Sequence, residues 1–212
     1  MRRRVRTILK RLASEYPDAK TALSYTNEFE LLVAVILSAQ CTDVRVNAVT
    51  PRLFARYPRI EDYANASLRE LEDLIRPTGY YKQKAKRIKA CAHALIEHYD
   101  GRIPRTLADL TSLPGVGRKT ANVVLQNVHG VLEGIVVDTH VRRVARRLGL
   151  TTHTDPVRIE EDLMRITPPS EYQRIADLLI FHGRAVCVAI RPRCPGCVLK
   201  DICPYPKQIA TH

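Results

Sequence analysis

Four of the six cysteines, Cys187, Cys194, Cys197 and Cys203, crowd into the last part of the chain with the spacing Cys-x6-Cys-x2-Cys-x5-Cys. Four thiolates in one short loop can enclose one metal centre. In a reducing compartment such a cluster means metal more often than disulfides. The spacing alone leaves tetrahedral zinc and an iron–sulfur centre both open. Cys41 and Cys91 stand apart and read as small packed or surface residues.

A second chemical signal is the stretch Leu113-Pro114-Gly115-Val116-Gly117. Pro114 cannot extend the preceding helix. The glycines admit conformations that other residues resist and leave the backbone amides uncovered. Amides that open a helix can donate to a phosphate oxygen, and the helix dipole favours the anion. The reading is a helix–hairpin–helix over about 106–128 that grips DNA backbone without reading sequence. A tight interhelical turn is the plainer alternative. Arg118 and Lys119 follow at once. The positive end of the helix and the neighbouring Arg118 both favour an uncharged amine at Lys119. Such an amine beside a DNA backbone is a nucleophile for a sugar carbon. From position alone, a lysine that contacts phosphate or solvent fits better. Asp138 ends the apolar segment Ile135-Val136-Val137 and precedes a helix, which suits an N-cap. A carboxylate held by helix amides is also rigid and ionised, fit to stabilise positive charge on a sugar. His140 lies two residues on, as neighbour or surface residue.

The elements that must position these groups are almost all helical. Val5, Ile8, Leu9 and Leu12 make one apolar stripe at helical spacing. Asn27 with Glu30, Ser67 with Glu70 and Ser170 with Gln173 have the form of helix-opening pairs. The first opens a buried helix from Glu28 to about Ala39, and another helix begins near Thr42. Pro77-Thr78-Gly79 breaks the chain. Ala85, Ile88, Ala92, Leu95, Ile96 and Tyr99 mark one face of a long helix that Asp100-Gly101 stops. A further helix runs from Thr139 to about Leu148, ended by Gly149. No linker, repeat or low-complexity stretch divides the chain.

The sequence holds 212 residues with Lys+Arg 34 against Asp+Glu 22, a net charge of +12. This balance points to a polyanionic partner. At 45% hydrophobic residues, disorder is excluded as a reading. The longest apolar run, Leu31 to Ala39, is broken by Ser38 and is too short to span a bilayer. Met1-Arg2-Arg3-Arg4 is followed by no apolar signal segment, so a cytoplasmic location and no membrane partner are expected.

Leu113-Pro-Gly-Val-Gly-Arg-Lys-Thr-Ala-Asn-Val-Val-Leu125, Val137-Asp-Thr-His140 and the cysteine cluster, in that order, resemble the endonuclease III family of helix–hairpin–helix glycosylases. Leu37-Ser-Ala-Gln-Cys-Thr-Asp43 and His182-Gly-Arg184 extend the resemblance over nearly the whole chain. It implies an all-α, two-lobed glycosylase fold, with 22–132 as one helical domain. Residues 1–21 plus 133–212 form the other, with the cluster loop at 187–203. The cysteine spacing is similar to the family's pattern for a 4Fe–4S cluster. The implied activity is bifunctional: excision of oxidised pyrimidines and strand cutting at the abasic site. By resemblance, Lys119 attacks C1′, an imine forms, and β-elimination cuts on the 3′ side. Asp138 activates the amine and stabilises the cationic transition state. The nucleotide must first leave the stack. Gln40 matches a residue that fills the gap left by the flipped base, and Tyr80 falls where a second wedge is expected. Gly115, Gly117, Arg118, Thr120, His140, Arg184, Arg191 and Arg193 are the expected DNA contacts. The implied partner is double-stranded DNA with damaged bases or abasic sites, bound by a monomer.

Three departures stand out. Tyr80 occupies a position that is often leucine, Cys41 one that is usually alanine. One extra residue lies between Lys119 and Asp138, in the stretch His129 to Gly134, where a loop is expected to absorb it. Competing readings are a pyrimidine-dimer glycosylase, a helix–hairpin–helix binding module without chemistry, and an iron–sulfur electron carrier. A mismatch thymine or adenine glycosylase would normally lack the lysine.

Overall fold

A computed structural model describes residues 1–19 and 22–206. Its elements in chain order are α1 (Arg2–Glu15), α2 (Glu28–Leu37), α3 (Asp43–Arg56), α4 (Ile60–Asn65), α5 (Leu68–Ile75), α6 (Tyr81–Tyr99), α7 (Leu107–Ser112), α8 (Arg118–Val124), α9 (Thr139–Arg147), α10 (Pro156–Ile166) and α11 (Tyr172–Ala185). No strand occurs among the described residues, so the fold is all-α. The chain divides into two compact units, one of Ala22–Val131 and one of Met1–Thr21 with Leu132–His212. The boundary expected between 21 and 22 falls beside Lys20 and Thr21, which lie outside the described residues, as do 207–212. No helix of the described residues is long and apolar enough to cross a membrane.

The unit from 22 to 131 is built on α2. Its residues Leu31 to Leu37 are all buried, so this short helix packs on every side rather than along one stripe. It packs against α3, α6 and α8, while α6 also receives α4 and α5. Asn27 caps α2 by accepting from the Glu30 amide at 2.9 Å, as its position suggests. The Glu30 carboxylate does not close the reciprocal box. It takes the Thr26 amide and hydroxyl at 2.6 and 2.8 Å instead. Ser67 starts α5 without a side-chain cap, and the Glu70 carboxylate pairs with Arg56 at 2.6 Å rather than closing the reciprocal half of the box. On α6, Ala85, Ile88, Ala92 and Leu95 are buried, but Ile96 is exposed. Asp100 and Gly101 stop this helix in left-handed conformation, and the Gly101 amide returns to Leu95 O at 2.9 Å.

The other unit is organised by α11, against which α1 and α9 pack. Val5, Ile8, Leu9 and Leu12 form the buried face of α1. Gly183 allows the close approach of α9: an added Cβ would lie 3.0 Å from His140 Cβ and 3.1 Å from Val144 Cγ2. Ser170 lies within a 3-10 turn, Pro169–Glu171, so Glu171 rather than Ser170 precedes α11.

Asp177 on α11 is pushed up to about 7 by burial. An acid whose folded value exceeds its unfolded value keeps more protons in the native state. Its stability contribution is present at low pH and lost as pH rises through the folded value. The melting temperature should therefore fall between about pH 4 and pH 7. In Asp177→Asn that fall should be smaller, as thermal unfolding of both proteins across the range will show.

Candidate active site and cysteine pocket

The glycine turn joins α7 to α8 inside the 22–131 unit. Thr106 caps α7 by accepting from the Asp109 amide at 3.1 Å, and the Val116 amide returns to Leu113 O at 3.1 Å to close the turn. Leu113 and Val116 are buried and anchor it in the core. The two glycines have different roles. Gly115 has φ +83°, and a Cβ there would meet Arg87 Cβ at 2.8 Å, so both conformation and space demand glycine. Gly117 has φ −90° and needs no such freedom. Nothing lies within 4 Å of a Cβ at this position, so its effect is to leave the start of α8 open. Arg118 and Lys119 are exposed in the first turn of α8, and Thr120 behind them is half-buried. After Val124 the helix passes into a π turn, Leu125–His129.

Gln40 and Tyr80 belong to the same unit. Each is exposed, and each has a left-handed backbone, φ 53° and φ 49°. Gln40 ends the turn after α2, and Tyr80 immediately precedes α6. Cys41 beside Gln40 is half-buried.

Asp138 belongs to the other unit. Its Oδ1 accepts from the His140 and Val141 amides, both at 2.8 Å, and so caps α9. His140 Nδ1 lies 3.1 Å from Arg143 Nη2. Guanidinium nitrogens only donate, so Nδ1 accepts and the imidazole is neutral. Burial also holds His140 below its ordinary value, with Asp138 opposing and Arg143 and Arg184 adding to the effect. Arg143 Nη2 further donates to Gly183 O at 2.8 Å, and its Nε to Cys187 O at 3.0 Å. Arg184, Arg191 and Arg193 are exposed, Arg191 with φ 54°.

Cys187, Cys194, Cys197 and Cys203 line one pocket with Val144, Leu148, His182, Val186 and Tyr205. Its empty space is about 370 Å³. All four thiols are free, so disulfides play no part. Among the described residues, no group of three or more His, Cys, Asp or Glu side chains is arranged to hold a metal ion. Two of the sulfurs meet donors. Cys197 Sγ receives the Leu199 amide at 3.4 Å and lies 3.5 Å from His182 Nε2. Cys187 Sγ receives Arg147 Nη1 at 3.5 Å. Tyr16 Oη lies 3.2 Å from His182 Nδ1. With Nε2–H turned to sulfur, Nδ1 accepts the tyrosine proton. Burial pushes the Cys197 and Cys203 thiols up, and the neighbouring cysteines add to it. Gathering four thiolates is thus unfavourable unless a cation shares the pocket.

Residues 33–169 match the HhH-GPD superfamily of base excision DNA repair proteins. Endonuclease III of Synechocystis is 50% identical over 93% of this chain and 89% of its own length. Endonuclease III of Bacillus subtilis is 46% identical over 92% and 89%. A solved endonuclease III, trapped as a covalent intermediate with DNA, superposes with a TM-score of 0.94 at 44% identity, covering 99% of both chains. The chain belongs to the endonuclease III family.

Three residues of this family member that support the site were not singled out from its sequence, Arg143, Arg147 and Tyr16, and His182 entered only through the motif His182-Gly-Arg184. Arg147 donates to Val188 O at 2.7 Å and Ala189 O at 2.9 Å, and its guanidinium lies 4.4 Å from the Tyr205 ring centre. The available signal was spacing. Thr139, Arg143 and Arg147 recur at four-residue intervals on α9, and His182 adjoins the small Gly183. The close fit at Gly115 gives a direct test. Gly115→Ala should cost about 1–3 kcal/mol of stability and weaken binding to undamaged duplex DNA. Denaturant unfolding and a binding titration check both.

Proposed function

We propose that Lys119 is the amine that attacks C1′ of an oxidised pyrimidine nucleotide and that Asp138 is the carboxylate assisting it. The chain is a DNA glycosylase and abasic-site lyase of base excision repair. In the proposed sequence, the Lys119 nitrogen forms a bond to C1′ as the base departs with the glycosidic electron pair. The sugar opens to an imine. Loss of a C2′ proton expels the 3′ phosphate, and hydrolysis of the imine returns the lysine. Asp138 stabilises the cationic sugar through a charge that its two amide donors hold in place. The observation that carries this reading is the exposed Lys119 in the first turn of α8, directly after the open glycine turn. The covalent endonuclease III–DNA intermediate supports it.

Gly115, Gly117, Arg118, Thr120, His140, Arg184, Arg191 and Arg193 are the proposed DNA contacts. Gln40 would fill the gap left by the extruded nucleotide, and Tyr80 would press against the opposing strand. The substrate is duplex DNA with a damaged base or an abasic site, met by a monomer at the chromosome in the cytoplasm. Cys187, Cys194, Cys197 and Cys203 would hold a 4Fe–4S cluster. The four cysteines line one pocket, and their spacing is similar to the family's 4Fe–4S pattern; both support this reading. When bound, the cluster supplies iron–thiolate bonds that close residues 187–203 into one loop bearing Arg191 and Arg193.

Borohydride should trap the protein on abasic duplex DNA, and Lys119→Ala should abolish the adduct. Asp138→Asn, which keeps the cap, should slow excision about a hundredfold or more with little change in melting temperature. An adduct that persists in Lys119→Ala assigns the nucleophile elsewhere. Metal analysis of the purified protein should find roughly four iron and four sulfide per chain with broad visible absorbance. A colourless protein with one zinc would rule the cluster out.

A further inference from the structure

Lys84 is 3% exposed, an unusual state for a lysine. Its Nζ donates to Leu37 O and to Thr78 O, both at 2.8 Å. These acceptors are not arbitrary. Leu37 is the last residue of α2, and Thr78 is the last residue of the 3-10 turn Arg76–Thr78. Carbonyls that end helices lack an intrahelical donor and carry the negative end of the dipole, so a buried cation is well placed there. The chain leaves Leu37 through Ser38 and Ala39 to Gln40, and leaves Thr78 through Gly79 to Tyr80.

Gln40 and Tyr80 are exposed non-glycine residues in left-handed conformation. That conformation costs about 1–2 kcal/mol per residue and persists only where the surroundings impose it. Neither side chain is buried enough to impose it. The restraint comes from the backbone on either side. Ser38 Oγ donates to Val35 O at 2.8 Å and the Cys41 amide to Ser38 O at 3.1 Å. Thr78 Oγ1 donates to Ile75 O at 2.8 Å. The Lys84 amide donates to Tyr80 O at 3.0 Å, so Lys84 sits one helical turn above Tyr80. A continuous path therefore runs from Tyr80 through the first turn of α6 to Lys84, across its ammonium to Leu37, and on to Gln40.

We propose that Lys84 is a positioning residue for base excision, its buried ammonium fixing the separation of the Gln40 and Tyr80 turns so that both side chains enter the duplex as one unit. The inference rests on the reading of Gln40 and Tyr80 as inserting residues. Lys84 itself touches no DNA. Its effect is confined to steps that need a base extruded from a paired strand, so it discriminates duplex from single-stranded substrate.

The test uses the full chain and a duplex with one oxidised pyrimidine opposite 2-aminopurine, whose fluorescence rises when it is unstacked. Lys84→Met removes both donors and keeps an apolar side chain of similar length. The ratio of single-turnover excision in the duplex to cleavage of an abasic single strand should fall about tenfold or more. The fluorescence rise should fall with it. In a Gln40→Ala, Tyr80→Ala background, Lys84→Met should add no further loss to that ratio. Should Lys84→Met fail to fold, Lys84→Gln, which keeps a donor but reaches less far, carries the same comparisons. Equal losses on both substrates, an unchanged fluorescence rise, or an additive loss in the triple variant would each overturn the proposal. Full duplex activity of the Gln40→Ala, Tyr80→Ala protein would instead sink the insertion reading. Loss there with none in Lys84→Met would sink the positioning role alone.

Discussion

The carbonyl oxygens of Leu37 and Thr78 end two helical segments in the protein interior, and one ammonium serves both. Comparable donations occur at several points where this all-helical chain leaves regular structure. Lys89 Nζ donates to Ala66 O at 2.7 Å, after α4. Arg4 donates to Leu148 O at 2.5 Å, after α9, and to Ile202 O at 2.8 Å. Arg11 reaches Val198 O at 3.0 Å and pairs with Asp201. Arg143 and Arg147 take the carbonyls of Gly183, Cys187, Val188 and Ala189. A buried carbonyl without a donor costs about 1–3 kcal/mol. With no strands among the described residues to supply neighbouring amides, long cationic side chains supply the donors, their stems lying along apolar surface.

This changes what the net charge of +12 means. A basic balance read from composition counts every lysine and arginine as available to a polyanion. Arg4, Arg11, Lys84, Lys89, Arg143 and Arg147 instead donate to the protein's own backbone. The cations on the proposed DNA surface are fewer: Arg118 and Lys119 at the head of α8, Arg184 at the end of α11, and Arg191 and Arg193 in the cysteine loop, all exposed. Their strength comes from placement. Two stand at a helix start with open space before it, where the dipole and the charges act on the same phosphate.

Features that depend on adjacent residues were legible in the sequence. The buried α2, the cap by Asn27, the stop at Asp100-Gly101, the glycine turn and the cysteine group all follow from local spacing. Features in which a side chain chooses between a local and a distant partner were not. Ser67 and Glu70 have the form of a capping box, but Arg56, fourteen residues earlier, takes the carboxylate. Ile96 fits the α6 stripe by period, yet it is exposed because the partners of that helix, which cover Ala85, Ile88, Ala92 and Leu95, do not reach it. Lys84 left no sequence signal, and Arg143 left only its spacing on α9. Their acceptors are backbone carbonyls up to 47 and 44 residues away, and a carbonyl is the same at every position. Gly115 and Gly117 look equivalent in sequence, and only the nearness of Arg87 separates a glycine that must be small from one that leaves space.

The connection from Asp138 to the cysteine loop explains why a glycosylase would keep a metal centre. Attack by an amine and β-elimination transfer protons and electron pairs but no single electrons, so neither step requires a redox group. Inside its own unit, however, Asp138 caps α9 through the His140 and Val141 amides. His140 Nδ1 accepts from Arg143, and Arg143 also donates to Cys187 O and Gly183 O. One turn further on, Arg147 grips Cys187 Sγ and the carbonyls after it. The loop from 187 to 203 has little regular structure beyond the turn Cys194–Gly196. The protein holds it through Arg11 at Val198 O, Arg4 at Ile202 O and the buried Leu199, and bonds across its four thiolates would tie these points together. If the loop opened, Arg143 and Arg147 would lose the carbonyls of Cys187, Val188 and Ala189, and the face of α9 that follows Asp138 would lose those supports. On the proposed reading, a centre that closes the loop would thereby hold the helix that Asp138 caps.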